Sequence, residues 1–232
     1  TLAISPALKK LGVKNRARLF QIPSHIEYIT VKPHMKRYMQ ASAQIYGTLL
    51  NYISPEDIHV YSIDEYFIDI TPYTNLYKKT PRQLAQLLLD AVLDATHIYA
   101  TVGIGTNLFL AKIALDILAK HAPDFIGYLD ENLFKEQIWH HQPITDIWQI
   151  GSGIANRLRK FGAFDLHGIT QVPEHKLYKE FGVNAELLID HAWGRESCTI
   201  ADIHAYRPSK HSLSQSQILL RNYTADEARL PM

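Results

Sequence analysis

The chain has 232 residues, 47% of them hydrophobic, enough to bury one large core or two to three small ones. Charged residues make up 20% and the formal net charge is +1, so any nucleic-acid binding must come from basic residues gathered locally. A single cysteine, Cys198, excludes an internal disulfide framework, and neither a signal peptide nor a run of about 18 apolar residues is present. The expectation is a soluble protein of the reducing cytoplasm.

The chain begins at Thr1 in mid-pattern, as a fragment or processed product would. Residues 1–33 are short and irregular. Pro6 can start a small helix through Lys9, Lys10 and Leu11, with Gly12 as its stop. Lys9, Lys10, Lys14, Arg16 and Arg18 make this the most basic stretch, either a phosphate contact or a solvated surface, and the residues alone favour the surface. From Met35 a helix is predicted. Met35, Tyr38, Met39, Ser42, Ile45, Tyr46 and Leu49 share one face and are expected to be core.

Residues Asp57 to Thr71 are rich in β-branched and aromatic residues and read as two strands meeting near Ile63, Asp64 and Glu65. Adjacent carboxylates in an apolar run repel each other and are costly to desolvate. A hard cation with oxygen ligands, Mg²⁺ or Mn²⁺, removes that cost. A hairpin tip whose acids point into water explains the same letters, and a four-residue pattern does not choose between the two.

Thr80 caps and Pro81 begins the next helix, with Leu84, Leu87, Leu88, Ala91, Val92 and Ala95 as its buried stripe. Ala100 to Gly105 reads as a short buried strand in which Gly103 and Gly105 indicate close backbone approach. Asn107 caps a third helix with Leu108, Ala111, Leu115 and Leu118 on one face and Lys112, Asp116 and Lys120 off it. This order of elements suggests an antiparallel-containing sheet with helices on one face and a site on the other, an α+β fold. No dinucleotide fingerprint and no P-loop is present.

Residues 121–142 read as a junction, with Phe125 to Tyr128 as a further short strand. His121, His140 and His141 have no Cys or carboxylate at ligand spacing, which argues against zinc. Pro143 to Gly162 reads as helix, tight turn, helix. The turn Ile150, Gly151, Ser152, Gly153 exposes backbone N–H groups at a helix start, and Arg157, Arg159 and Lys160 follow. That combination favours phosphate binding without base readout over a plain helical hairpin. Helices are expected near Pro173–Phe181 and Ala185–Trp193, ending at Gly194. Residues Glu196 to Lys210 read as linker, and Leu213 to Tyr223 as a strand opening another domain.

Taken together, Val60 to Asp69, Thr101 to Lys120, Ile147 to Leu158 and His191 to Arg195 resemble four motifs of the Y-family, or translesion, DNA polymerases, in that family's order. The nearest branch is the UmuC-like (ImpB/MucB/SamB) one. The resemblance implies partial fingers over 1–33, a palm over 34–124, an all-α thumb with a helix–hairpin–helix over 125–195, a linker over 196–212, and the start of the little finger over 213–232. It implies that Asp64 and Glu65 are catalytic and hold metal, two Mg²⁺ ions with Mn²⁺ as a substitute. It implies that Lys120 and Lys9 contact the incoming nucleotide, and that Ile150, Gly151, Ser152, Gly153, Arg157 and Lys160 lie on DNA. Primer–template DNA and deoxynucleoside triphosphates are the implied partners, with a sliding clamp and SOS accessory proteins, in a bacterial cytoplasm and on the nucleoid. The implied role is error-prone synthesis across damaged DNA.

Two departures stand out. The family's first acidic motif is not among these residues, which leads to the expectation that residues 1–232 alone do not extend a primer. Tyr66 stands where a small residue is usual. Two other classes stay open: a non-catalytic DNA-binding module and a cyclase-like nucleotidyl transferase.

Overall fold

The computed structural model describes residues 3–15, 17–209, 212–214 and 222–229. Near the start, the Ser5 hydroxyl accepts the Leu8 N–H and Pro6 opens α1 (Pro6–Lys10). Gly12 ends it at φ +82°. Val13, Ile22 and Ile26 form a small core with Ile4, Leu8 and Ala17. Lys9, Lys10, Lys14 and Arg18 are exposed around it, and Arg16 lies outside the described residues.

A second core is built by α2 (Met35–Leu49), β1 (Ile58–Val60), β2 (Tyr66–Ile68), α3 (Thr71–Tyr77) and α4 (Pro81–Thr96). β1 and β2 pair antiparallel, Ile58 opposite Ile68 and Val60 opposite Tyr66. The cap expected at Thr80 is present, and it is one half of a capping box: its hydroxyl takes the Gln83 N–H and the Gln83 side chain returns to the Thr80 N–H at 3.0 Å. Leu84, Leu88 and Val92 of α4 meet Leu49, Ile53, Ile58 and Tyr73. The stripe of α2 is only partly core. Leu49 is buried, but Met35, Tyr38 and Met39 at the other end of the helix are exposed, because the packing partners lie only along its C-terminal half.

β3 (Val102–Gly105) and β4 (Ile126–Leu129) form a separate two-stranded sheet, and it is parallel, as a helical crossover requires. The crossover begins with α5 (Leu108–Ile113), capped by the Asn107 side chain, and continues through a π turn (Ala114–Leu118) and a 3₁₀ turn (Ala119–His121). A Cβ on Gly103 or Gly105 would collide with the backbone of Ala111, so these glycines let the crossover lie directly on the strand. That contact shifts the expected stripe. Leu108, Ala111, Leu115 and Leu118 are half-buried, while Phe109, Leu110, Ile113 and Ala114 are fully buried. The helix is clasped on both flanks, by the sheet on one and by a large helical core on the other.

That large core contains α6 (Glu131–Gln137), α7 (Ser152–Arg159), α8 (Leu166–Thr170), α9 (Glu174–Phe181) and α10 (Asn184–Ala192). Three expectations change here. Residues 121–142 are no mere junction: Asp130 caps α6 by accepting the N–H groups of Asn132 and Leu133, and Phe134 and Ile138 are fully buried. The first arm of the helical hairpin is only a 3₁₀ turn, Ile144–Asp146, since buried Ile144 and Ile147 are drawn into the core within three residues. The stretch read as bare linker carries α11 (Ile200–Ala205), started by a capping box between Thr199 and Asp202 and anchored by buried Ile200. The strand expected over 213–223 lies mostly outside the described residues. No helix among the described residues is long and apolar enough to cross a membrane.

Candidate active site and backbone-binding turn

The β1–β2 hairpin closes through one carbonyl. Glu65 O accepts the N–H groups of Tyr61 and Ser62 at 3.0 and 3.1 Å, which pushes Ile63 and Asp64 out at the tip. Asp64 is exposed and accepts the Ser62 hydroxyl at 2.8 Å on Oδ1. Glu65 turns inward, and its Oε1 lies 2.6 Å from Nζ of Lys112. One acid therefore faces water and the other is paired with Lys112.

Lys112 is 7% exposed. Its ammonium also reaches Asp116 Oδ2 at 3.1 Å, and Asp116 Oδ1 holds Lys120 Nζ at 2.9 Å. Burial works against the charge on Lys112, but hydrogen bonds and attraction from Glu65 and Asp116 outweigh it and hold the pKa above its ordinary value. The result is a ladder of alternating charge, Glu65, Lys112, Asp116, Lys120, whose last member is half-exposed. Sequence reasoning set Lys112 aside with the polar face. The available signal was its isolation: it is the lone charge in the apolar run Leu108 to Leu115. Lys9 makes no hydrogen bond or ion pair with any of these groups among the described residues.

Aromatic rings tie the hairpin to the helical core. The Tyr61 ring centre is 5.9 Å from Lys112 Nζ, and its hydroxyl accepts Trp148 Nε1–H at 3.1 Å. Trp148 packs against Phe67 and His191, and His191 stacks 4.0 Å from Phe109 with Nε2 3.0 Å from Glu196. Burial pushes the His191 pKa down, and Glu196 opposes that only in part. Tyr66 has a defined job: its hydroxyl donates to Ser42 O at 2.9 Å and its ring stacks on Tyr46, which fixes α2 to the hairpin.

At the other candidate element, Ile150 is buried, while Gly151, Ser152 and Gly153 are exposed. Gly151 has φ −80°, open to any residue, and a Cβ on Gly151 or Gly153 would meet nothing within 4 Å. Folding thus places no demand for glycine at either position. No side chain caps α7, so the N–H groups of its first turn face outward. Lys160 is exposed and only loosely paired with Glu180 at 3.4 Å. Arg157 is half-buried. Its guanidinium lies 4.4 Å over the Phe181 ring and donates to Glu180 O, because its position on α7 faces α9.

The architecture is that of the Y-family DNA polymerases. The insertion ternary complex of Dbh DNA polymerase matches with a TM-score of 0.67 at 28% identity, covering 83% of this chain and 55% of that one. Among curated proteins, UvrX of Bacillus subtilis (strain 168) is 32% identical over 228 residues, 97% of this chain and 53% of its own. DNA polymerase IV 2 of the same organism is 34% identical over 188 residues, 81% of this chain and 45% of its own. The impB/mucB/samB family profile matches residues 1–116, half of the chain. The chain belongs to the impB/mucB/samB family. It spans about half the length of these curated relatives.

Proposed function

We propose that this chain supplies the palm and thumb of a template-directed, error-prone DNA polymerase that copies damaged DNA. The observation that carries the proposal is the hairpin tip, where exposed Asp64 sits beside a Glu65 held in place by buried Lys112. In this reading residues 1–33 belong to the fingers, 34–124 to the palm and 125–195 to the thumb. Residues 196–212 lead toward the little finger that 213–232 begin. Primer–template DNA and deoxynucleoside triphosphates are the substrates.

The carboxylates fit a hard divalent cation. Ser62 and Lys112 each engage one oxygen, which leaves the second oxygen of Asp64 and of Glu65 as donors of the type Mg²⁺ and Mn²⁺ prefer. Asp64 and Glu65 would hold such an ion, which would supply Lewis acidity toward the primer hydroxyl and the leaving pyrophosphate. Lys112 orients Glu65 through the 2.6 Å contact of its Nζ with Oε1. Lys120, half-exposed at the end of the ladder, offers an ammonium to the triphosphate. Gly151, Ser152 and Gly153 offer backbone N–H groups to duplex phosphate, with Lys160 beside them, so grip does not depend on sequence. Magnesium as the physiological metal, an SOS-type role with a sliding clamp, and a nucleoid location in a bacterial cytoplasm rest on the family reading.

Primer extension by the full-length gene product tests the proposal. Template-dependent, Mg²⁺-dependent extension is expected, lost in Asp64→Ala with duplex binding retained. Duplex binding without extension in the parent would identify a binding module. Triphosphate turnover without DNA would identify a cyclase-like enzyme.

A further inference from the structure

We infer that His140, Asp165 and His167 form a binding site for a divalent transition-metal ion of the Zn²⁺ class, carried by the helical core and separate from the hairpin acids. One ligand atom from each of the three residues lies within 4.8 Å of the other two. His140 Nδ1 is already 3.0 Å from Asp165 Oδ2. Metal–ligand bonds of about 2.0–2.2 Å need donors about 3.3 Å apart in a tetrahedron. His140 is exposed, so its ring has solvent on one side.

The surroundings hold the three groups in place. The His167 N–H donates to Trp139 O at 3.1 Å, which joins the start of α8 to the residue beside His140. The Trp139 ring packs edge-on against His167 at 4.9 Å, and its Nε1–H is held by Ala192 O at 2.7 Å. Asp165 spends Oδ1 on capping α8, taking the Gly168 N–H at 2.6 Å, so Oδ2 is left facing His140. A carboxylate held on its other oxygen by a backbone N–H is one element of the outer-sphere support that metal ligands receive. Burial raises the Asp165 pKa, but the Gly168 N–H and His140 more than offset it, so the group is an anion at neutral pH.

Two imidazoles and one carboxylate suit Zn²⁺, Co²⁺ or Ni²⁺ and discriminate against Mg²⁺. Three protein ligands leave a fourth position for water. The ion would clamp the end of the α6 region to the start of α8. His141–Asp146 and His191–Glu196 are two-membered pairs with no third ligand among the described residues, so they serve as internal controls. Sequence spacing hid the site because the carboxylate lies 25 positions from His140 and only the fold brings it there.

Titration of the chelator-treated protein with Co²⁺, read by ligand-field absorption, and with Zn²⁺, read by calorimetry, tests the inference. One ion per chain is expected, with a Zn²⁺-dependent rise in Tm and no competition from excess Mg²⁺. His140→Ala and His167→Ala should each weaken Zn²⁺ binding at least about tenfold, while His141→Ala should not. His140 is exposed, so its variant should keep the parent circular dichroism. Absence of ligand-field bands in the parent, or unweakened binding in both His140→Ala and His167→Ala, would overturn it.

Discussion

Replacing Lys112 with Met tests whether the ion-pair ladder positions the acid pair. The ammonium is buried and makes charge-assisted hydrogen bonds at 2.6 Å to Glu65 and 3.1 Å to Asp116. Removing one partner of a fully buried pair costs about 3–5 kcal/mol. The loss here is smaller, because Glu65 and Asp116 keep 30% and 24% of their side-chain surface and Lys120 still neutralises Asp116. Met also refills the volume of the stem. The expected cost is about 2–3 kcal/mol, or about 4–12 °C in Tm for a chain of this size. Urea denaturation gives the stability change. A double-mutant cycle with Glu65→Gln isolates the pair, with an expected coupling of about 1–2 kcal/mol. A loss below about 0.5 kcal/mol together with additive single changes would refute the view that Lys112 fixes Glu65.

The turn before α7 gives a second test. Gly153→Val should leave the fold intact, since a side chain there meets nothing within 4 Å, and should weaken duplex binding about tenfold by blocking phosphate approach. Unchanged binding across a salt titration would assign the turn to folding alone. A third test concerns pH. The folded-state pKa of His191 is depressed, so its contribution to stability is present above about pH 6.5 and is lost as pH falls through the folded value. Tm should therefore drop between pH 7 and pH 5, and less steeply in His191→Gln. Equal slopes in parent and variant would remove His191 as the cause.

Local signals were read well wherever they set local structure. Thr80 and Pro81 begin α4 because a capping box depends on four consecutive residues. Gly103 and Gly105 mark backbone contact because a side chain has no room there. The α+β class and the hairpin carrying Asp64 and Glu65 followed from the same kind of pattern. The misreadings arose where a distant element decides burial. Lys112 reads as polar surface until Glu65, 47 residues earlier, is folded onto it. α11 has capping-box spacing in Thr199 and Asp202, but a six-residue helix shows too few turns for periodicity to register.

The most direct test of the polymerase reading separates binding from chemistry at the hairpin tip. Single-turnover incorporation of one correct nucleotide by the full-length gene product should be compared among the parent, Asp64→Asn and Glu65→Gln at saturating DNA and nucleotide. Both substitutions keep size and remove charge. A fall in the incorporation rate of at least about a hundredfold in each variant, with duplex affinity within about twofold of the parent, is predicted. Incorporation at the parent rate in either variant would contradict the assignment of these carboxylates as the catalytic pair.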